Sequence, residues 1–439
     1  MKNILIITML LLGTTLTGFA QQTAQPAAVH NFSLQDCINY SYEHQDTVKN
    51  AALDMKNAEY KVRETTGIGL PQITGTASFT DYLKTPTVIF GTQKFSIYQP
   101  YNAAAGIGLN QIIFSGSYLV GLQASKTYKE LSQRSYTRSR IDTRVNVTKA
   151  YYQVIVSNEQ IKLLDADIAQ LKRQVNETTA ENKQGMAEKI DVDRISVQFN
   201  NLVTKRENAV RSLALSYEML KFQMGMPITE EIILTDKLED VHMDANVADN
   251  GDTTFYHNRI EYNLQETNVK LNALDVKNKK SNLLPTLNFL ANSSLAYQSQ
   301  KFGSLFNTQY PATYVGLSLN IPIYTGGQHK YQVKESEITV QKSQNDLEAL
   351  KNGILLQANS ARINYINSIK SLDNQKQNQQ LAQQVLKVTQ IKYGQGVGSS
   401  LEVTQAQTDL ESADNDYIQA LYTALISKVD LDKAYGRIQ

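Results

Sequence analysis

KYGQGVGSSLEVTQA (392–406) carries three glycines at alternate positions, Gly394, Gly396 and Gly398, and runs on into a helical pattern. Two readings compete for it: a loop that cradles a phosphate, or a bend between two helices. A phosphate loop follows a strand and ends in a lysine next to Ser or Thr. Here no strand pattern precedes the glycines and that lysine is missing, so the nucleotide-enzyme reading fails its context. A second copy of the stretch favours the bend. Gln184-Gly185-Met186, inside KQGMAEKIDVDR (183–194), matches Gln395-Gly396-Val397 at an offset of 211 residues, and Met224-Gly225 matches Tyr435-Gly436 at the same offset. Upstream, Leu70-Pro71 recurs as Leu284-Pro285, and Ile113-Phe114-Ser115-Gly116 recurs as Ile323-Tyr324-Thr325-Gly326. The chain therefore reads as two structural repeats, 21–227 and 258–439. The mixed, acidic segment 228–257 is their linker or a small side domain.

Proline placement sets the coarse architecture. The eight prolines leave 101–226 and 323–439 free of any. In the first stretch Tyr152, Ile155, Ile161, Leu164, Ile168, Leu171 and Val175 step mostly by threes and fours, as do Phe199, Leu202, Leu213, Leu220 and Met224 with small residues between. In the second the row is Leu347, Leu350, Ile354, Ala358, Ala361 and Tyr365, then Leu381, Val385 and Val388. Such rows make a narrow apolar stripe on long helices that pair as coiled coils. A helix from about 117 to about 182 is roughly 100 Å long at about 1.5 Å per residue. Each repeat also holds two alternating runs: 73–82 and 103–113, then 286–297 and 313–323. In the clearest, Val315, Leu317, Leu319, Ile321 and Ile323 alternate with Gly316, Ser318 and Asn320. One apolar face and one small or polar face suit a barrel strand in a bilayer, and equally an ordinary antiparallel sheet with one face buried. Four such runs, paired by the repeat, favour the barrel. The connections 83–102 and 298–312 read as solvated loops.

Composition removes several classes of function. Net charge is +1, from 43 basic and 42 acidic residues, which gives no case for a nucleic-acid partner. Lys2, the apolar run ILIITMLLL (4–12) and the small residues ending in Ala20 make a signal peptide at 1–20 and an exported protein. A single cysteine, Cys37, allows no disulfide within the chain and reads as a small buried residue of the first helix. The five histidines, at 30, 44, 242, 257 and 329, have no metal-ligand spacing, so neither metal, cofactor nor catalysis is expected.

NIPIYTGGQ (320–328) with its partner NQIIFSGS (110–117), the two Leu-Pro pairs, and the two glycine turns resemble the TolC-like outer-membrane efflux proteins over nearly the whole mature length. The resemblance implies an α+β membrane protein. Three protomers would each give four strands to one 12-stranded outer-membrane β-barrel, continuous with a periplasmic α-helical coiled-coil barrel; 228–257 and the C-terminus would form an equatorial belt. It implies an exit duct of a tripartite efflux or type I secretion system. A periplasmic adaptor and an inner-membrane transporter would be its partners. Gly116, Gly326 and Gly327 fall at the strand-to-helix turns. Gly185, Met186 and Ala187, with Gly396, Val397, Gly398 and Ser399, fall at the tips where an adaptor docks, although glycine there also simply permits a turn. Asp191, Tyr393 and Glu402 match gate positions at the periplasmic end, with Asp193 beside them. Gly398 stands where some members have a closing arginine, and Gln405 where they have an aspartate, so that salt-bridge lock does not carry over. Helix-start acids are also favoured by the helix dipole alone. The rival reading is a non-channel periplasmic adaptor or stalk, which accounts for the long helices but not for the four alternating runs.

Overall fold

A computed structural model describes residues 30–236 and 254–438. The expected signal peptide and the stretch 237–253 of the linker lie outside the described residues. The chain begins with β1 (His30–Phe32) and two helices, α1 (Leu34–His44) and α2 (Asp46–Ile68). Then come β2 (Gln72–Asp81), a hairpin of β3 (Thr87–Phe90) and β4 (Gln93–Ser96), and β5 (Tyr101–Phe114). Next are α3 (Gly116–Lys183), α4 (Lys189–Met224) and β6 (Ile232–Leu234). The second half runs α5 (Ile260–Ser281), β7 (Thr286–Ser299), β8 (Gln309–Asn320), α6 (Gln328–Gly394) and α7 (Ser400–Ala434). The order helix, strand, strand, long helix, shorter helix thus occurs twice.

Helix α3 has 68 residues and α6 has 67. Neither has a globular core to cross. Each is instead flanked by two shorter helices set end to end: α2 and α4 along α3, α5 and α7 along α6. The junctions between the short helices are tight. Gly225 ends α4 with φ +71°, and a Cβ there would sit 2.7 Å from the His44 carbonyl oxygen and the Gln45 Cα. Gly436 follows α7 with φ +67°, and a Cβ there would lie 2.9 Å from the Asn258 carbonyl oxygen. Gln45 Nε2 donates to the Gln223 carbonyl at the first junction (3.4 Å). At the second, Arg259, 5% exposed, donates to the Ala434 carbonyl (3.0 Å) and to Gln357 (3.1 Å). Helix α3 also lies against α7, which joins the halves, and Lys149–Asp430 (2.5 Å) and Lys433–Asp142 (2.8 Å) brace that contact.

Most of the sheet is four strands in the order β2-β5-β7-β8, all antiparallel. The register brings the four apolar sets of the alternating runs onto one face. Ile73, Leu109, Ala291 and Val315 stand in one row across the strands, and Leu287 faces Leu319. The opposite face carries rows such as Thr74, Gly108, Asn292 and Tyr314. Val315 and Leu317 are about 70% exposed in the protomer, so this apolar face is uncovered. Along β8 the band from Pro311 to Leu319 is about 27 Å long at roughly 3.4 Å per residue, close to the height of a lipid-facing band. At the end of the sheet away from the helices sits an aromatic cluster: Phe79 and Tyr101 against Phe302, Tyr82 against Tyr98, and Tyr297 against Phe306. The outer edges of β2 and β8 have no partner among the described residues.

Several expectations need correction. The segment 83–102 is not a plain loop but contains the β3–β4 hairpin, and 298–312 holds a 3-10 turn (Phe302–Asn307) and the start of β8. The fourth strand ends at Asn320 rather than 323, because Pro322 supplies no N–H to continue the ladder. In the linker, Ile232–Leu234 pairs in parallel with His30–Phe32 and closes a small core of Cys37, Ile38, Tyr151 and Leu220. Cys37 is buried as expected, and burial pushes its thiol up to about 12. The row Leu381, Val385 and Val388 does not face the protomer interior; each is more than half exposed, while Leu386 of the same helix is buried. The buried seam is also less apolar than the rows suggest, since it includes Asp167, Gln174, Gln379, Gln407 and Asp414.

Gly225→Ala is expected to lower stability by at least about 2 kcal/mol, because the left-handed backbone and the contact with the chain at His44–Gln45 both oppose a Cβ. Chemical-denaturation midpoints of the two proteins measure this.

Candidate functional site at the helix tips

Both glycine turns end a long helix in the same way. Gly185, with φ +75°, lets the Met186 N–H reach the Glu181 carbonyl (2.9 Å) while its own N–H donates to Asn182 (3.0 Å). Gly396, with φ +73°, lets the Val397 N–H reach Lys392 (3.1 Å) and itself donates to Tyr393 (2.9 Å). These bonds satisfy helix-end carbonyls that would otherwise have no partner. The restart differs between the tips. Ser399 caps α7 by accepting from the Glu402 N–H (3.2 Å), whereas Glu188 makes no such bond and Asn182 instead donates to the Ala187 carbonyl (2.8 Å). Gly398 is a matter of space rather than of φ: a Cβ there would lie 3.1 Å from the Tyr393 nitrogen. Met186 and Val397 are exposed at the apices.

The two tips are bonded to each other. Asp191, in the first turn of α4, accepts from the Ser400 hydroxyl of α7 and pairs with Arg194 (3.4 Å). Arg194 Nη1 also donates to the Ser400 Oγ (2.9 Å), closing a triangle. Further along, Gln198 donates to the Thr404 carbonyl (3.1 Å) and Lys205 pairs with Glu411 (2.6 Å). Tyr393 is half-buried against Leu386, Val403, Ala406 and Leu410. Burial, then the nearby Asp191 and Glu181 carboxylates, raises its phenol above the ordinary value. The structure thus brings Asp191 and Tyr393 near one another. Asp193 and Glu402 are exposed and stand apart from the triangle.

Arg194 and Ser400 were not singled out from the sequence, although a signal existed. Arg194, Gln198 and Lys205 are spaced by four and seven, and so are Ser400, Thr404 and Glu411, which puts each set on one helix face. At the other end of the long helices the matching turns differ. Ser115 caps α3 by accepting from Tyr118, and Gly116 is needed for closeness, since a Cβ would lie 2.9 Å from Leu284 Cδ1. Gly326 and Gly327 instead turn through φ +62° and +82°. No cluster of three metal-ligating side chains occurs among the described residues, and no described helix is long and apolar enough to cross a membrane.

Two helices of 68 and 67 residues, each folded back on a helix about half as long and joined to a sheet with one uncovered apolar face, set the class of the fold. The chain belongs to the outer membrane efflux protein family, which matches residues 38–225 and 263–437. It is similar to outer membrane protein TolC of Escherichia coli (strain K12), with 23% identity over all of this chain and 87% of that one. Its fold is like that of VceC from Vibrio cholerae (TM-score 0.75, 15% identity, 92% of this chain and 96% of that one). It is also like that of the MtrE outer membrane channel of Neisseria gonorrhoeae in its open state (TM-score 0.76, 17% identity, 92% and 88%). The protein is therefore one of the cell outer membrane, in a family of transport channels rather than of enzymes.

Ser400→Ala removes both bonds to the α4 tip. Amide hydrogen exchange in the first turns of α4 and α7 is expected to quicken by about fivefold to tenfold, the equivalent of about 1–1.5 kcal/mol, with the global melting temperature unchanged.

Proposed function

We propose that this chain forms a homotrimeric exit duct, in which β2, β5, β7 and β8 of three protomers close one 12-stranded barrel. The observation that carries the reading is the four-stranded sheet with an uncovered apolar face and two open edges. Lipid offers no hydrogen bonds, so an open edge is not tolerated there, and edge β8 of one protomer must meet β2 of the next. The chain then duplicates one unit, at 21–227 and 258–439. The α-helices pack side by side into a periplasmic barrel, and exposed rows such as Leu381, Val385 and Val388 become contacts between protomers. Cargo is delivered by an inner-membrane transporter through a periplasmic adaptor, in a tripartite efflux or type I secretion system, and passes with no energy coupling in the duct itself. The adaptor meets the apices at Gly185, Met186 and Ala187 and at Gly396, Val397, Gly398 and Ser399, where small residues allow a close approach.

The tips are the gate. With Gly398 in place of an arginine, the lock is built within each protomer from Asp191, Arg194 and Ser400, next to Tyr393. Asp193 and Glu402, free of that triangle, become threefold rings of carboxylate facing a narrow aqueous lumen, where they attract cations. A periplasmic adaptor or stalk accounts less well for the molecule, because it has no use for an uncovered apolar sheet face.

In planar bilayers the purified protein is expected to give a small, cation-selective conductance. Arg194→Ala is expected to raise it severalfold, and Asp193→Asn with Glu402→Gln to weaken block by multivalent cations; conductance and block unchanged in both would remove the gate assignment. The barrel has its own test. Leu317→Lys, on the apolar face, is expected to cost about 2–4 kcal/mol of stability in the membrane and to abolish heat-resistant oligomer on gels, while Ser318→Lys one position along is tolerated.

A further inference from the structure

About a quarter of the way along α3 from the helix tips, a pair of acids lies where a coiled-coil seam ought to be apolar. Asp167 of α3 and Asp414 of α7 are 9% and 8% exposed and line the same groove, close enough that each carboxyl acts on the other. Two carboxylates crowded into one buried site do not both ionise readily, so one holds a proton. Gln379 of α6 completes the arrangement by donating to Asp414 Oδ1 (2.7 Å), so three helices from both halves meet at this pair. The pair is about 21 Å along α7 from Ser400, at roughly 1.5 Å per residue, and separate from the tip triangle. It borders a groove of about 620 Å³ between α3 and α6 that opens to solvent, so the proton has a route out.

We propose that Asp167 and Asp414 are a proton-held latch between α3 and α7, closed while the pair shares a proton and released when that proton leaves to water. The charges around the pair set its titration. On α7, Glu411 lies one turn away and is balanced by Lys205 of α4 (2.6 Å). Arg173 and Glu177 of α3 and Lys387 of α6 line the groove. Burial first, then Asp414 and Glu411, pushes the Asp167 carboxyl up to about 7; burial raises Asp414 as well, although its bonds from Gln379 and Asp167 work against this. The sign follows. A carboxyl whose folded pKa is raised keeps its proton in the folded state after the unfolded chain has lost its own. Its contribution to packing is full below about pH 4 and lost as the pH rises to about 7. Acid tightens the α3–α7 contact, and neutral to alkaline conditions loosen it.

The test is amide hydrogen exchange on the full-length protein in lipid nanodiscs, corrected for the intrinsic pH dependence of exchange. Between about pH 5 and about pH 9, exchange in 160–174 and 407–421 is expected to speed up at least about tenfold in the native protein. Asp167→Asn and Asp414→Asn, which keep a hydrogen-bonding amide but cannot ionise, are expected to flatten that response. Either variant suffices if the other fails to fold. Glu411→Gln removes a facing negative charge and is expected to move the midpoint to lower pH, a shift that a purely structural role for the pair does not give. A flat native profile, or the same response in the native protein and in the Asn variants, overturns the latch.

Discussion

Everything in this molecule depends on the hydrogen-bonding groups along the outer edges of β2 and β8. Four strands with right-handed twist do not curl far enough to close on themselves. In water, two open edges would be an aggregation hazard; in lipid, which the uncovered apolar face demands, they are prohibitive. In the proposed duct the sheet is part of a larger ring, and that requirement passes to the helices, because each strand pair leads into a helix of nearly seventy residues. If the strands form a ring, helices that continue from them are arranged on a ring as well. The exposed apolar residues of α6 then belong to contacts between protomers, not to a faulty core.

In the proposed duct the helical part meets a second constraint, that of building a tube wall one layer thick. A single layer has little interior, so no large core forms; four small clusters are spread along the length. The shorter helices are set end to end against the long ones, and Gly225 and Gly436 close the joints where two chain segments come within contact distance. Between the clusters, polar side chains hold the layer together: the Arg259 contacts at the second joint, the Lys149 and Lys433 ion pairs, and the Arg194–Ser400 and Lys205–Glu411 links between α4 and α7. Ion pairs that are partly exposed contribute little stability each, about 0–1 kcal/mol. That weakness suits the proposed gate, since a few bonds at the tips are broken more readily than a packed apolar seam.

The acid pair of Asp167 and Asp414 belongs to the same logic but differs in strength. A buried carboxyl without its proton is far more unfavourable than a broken surface pair. If the proposed latch holds, one seam carries contacts of two kinds, weak ones at the tip and a strong, protonation-dependent one above it.

The sequence by itself determined the elements and their order. Proline-free stretches and spacing by threes and fours marked α3 to within a residue or two at each end, and alternation with period two marked the four strands. The duplicated turns, with Gly185 and Gly396 at matching places, identified the helix reversals, because a left-handed residue at a helix end is a local requirement that glycine meets without steric cost. Local rules did not say which helix lies beside which. Arg194 and Ser400, or Asp167 and Asp414, are more than two hundred residues apart, and each looks like an ordinary polar surface residue within its own helix. Leu381, Val385 and Val388 looked like core for the converse reason: periodicity shows that a face is apolar but not what covers it. Those partnerships were decided by the tertiary structure alone, because a contact across a helical wall is set by how the helices are aligned along their length, and that alignment follows from the sheet register and the two glycine joints together.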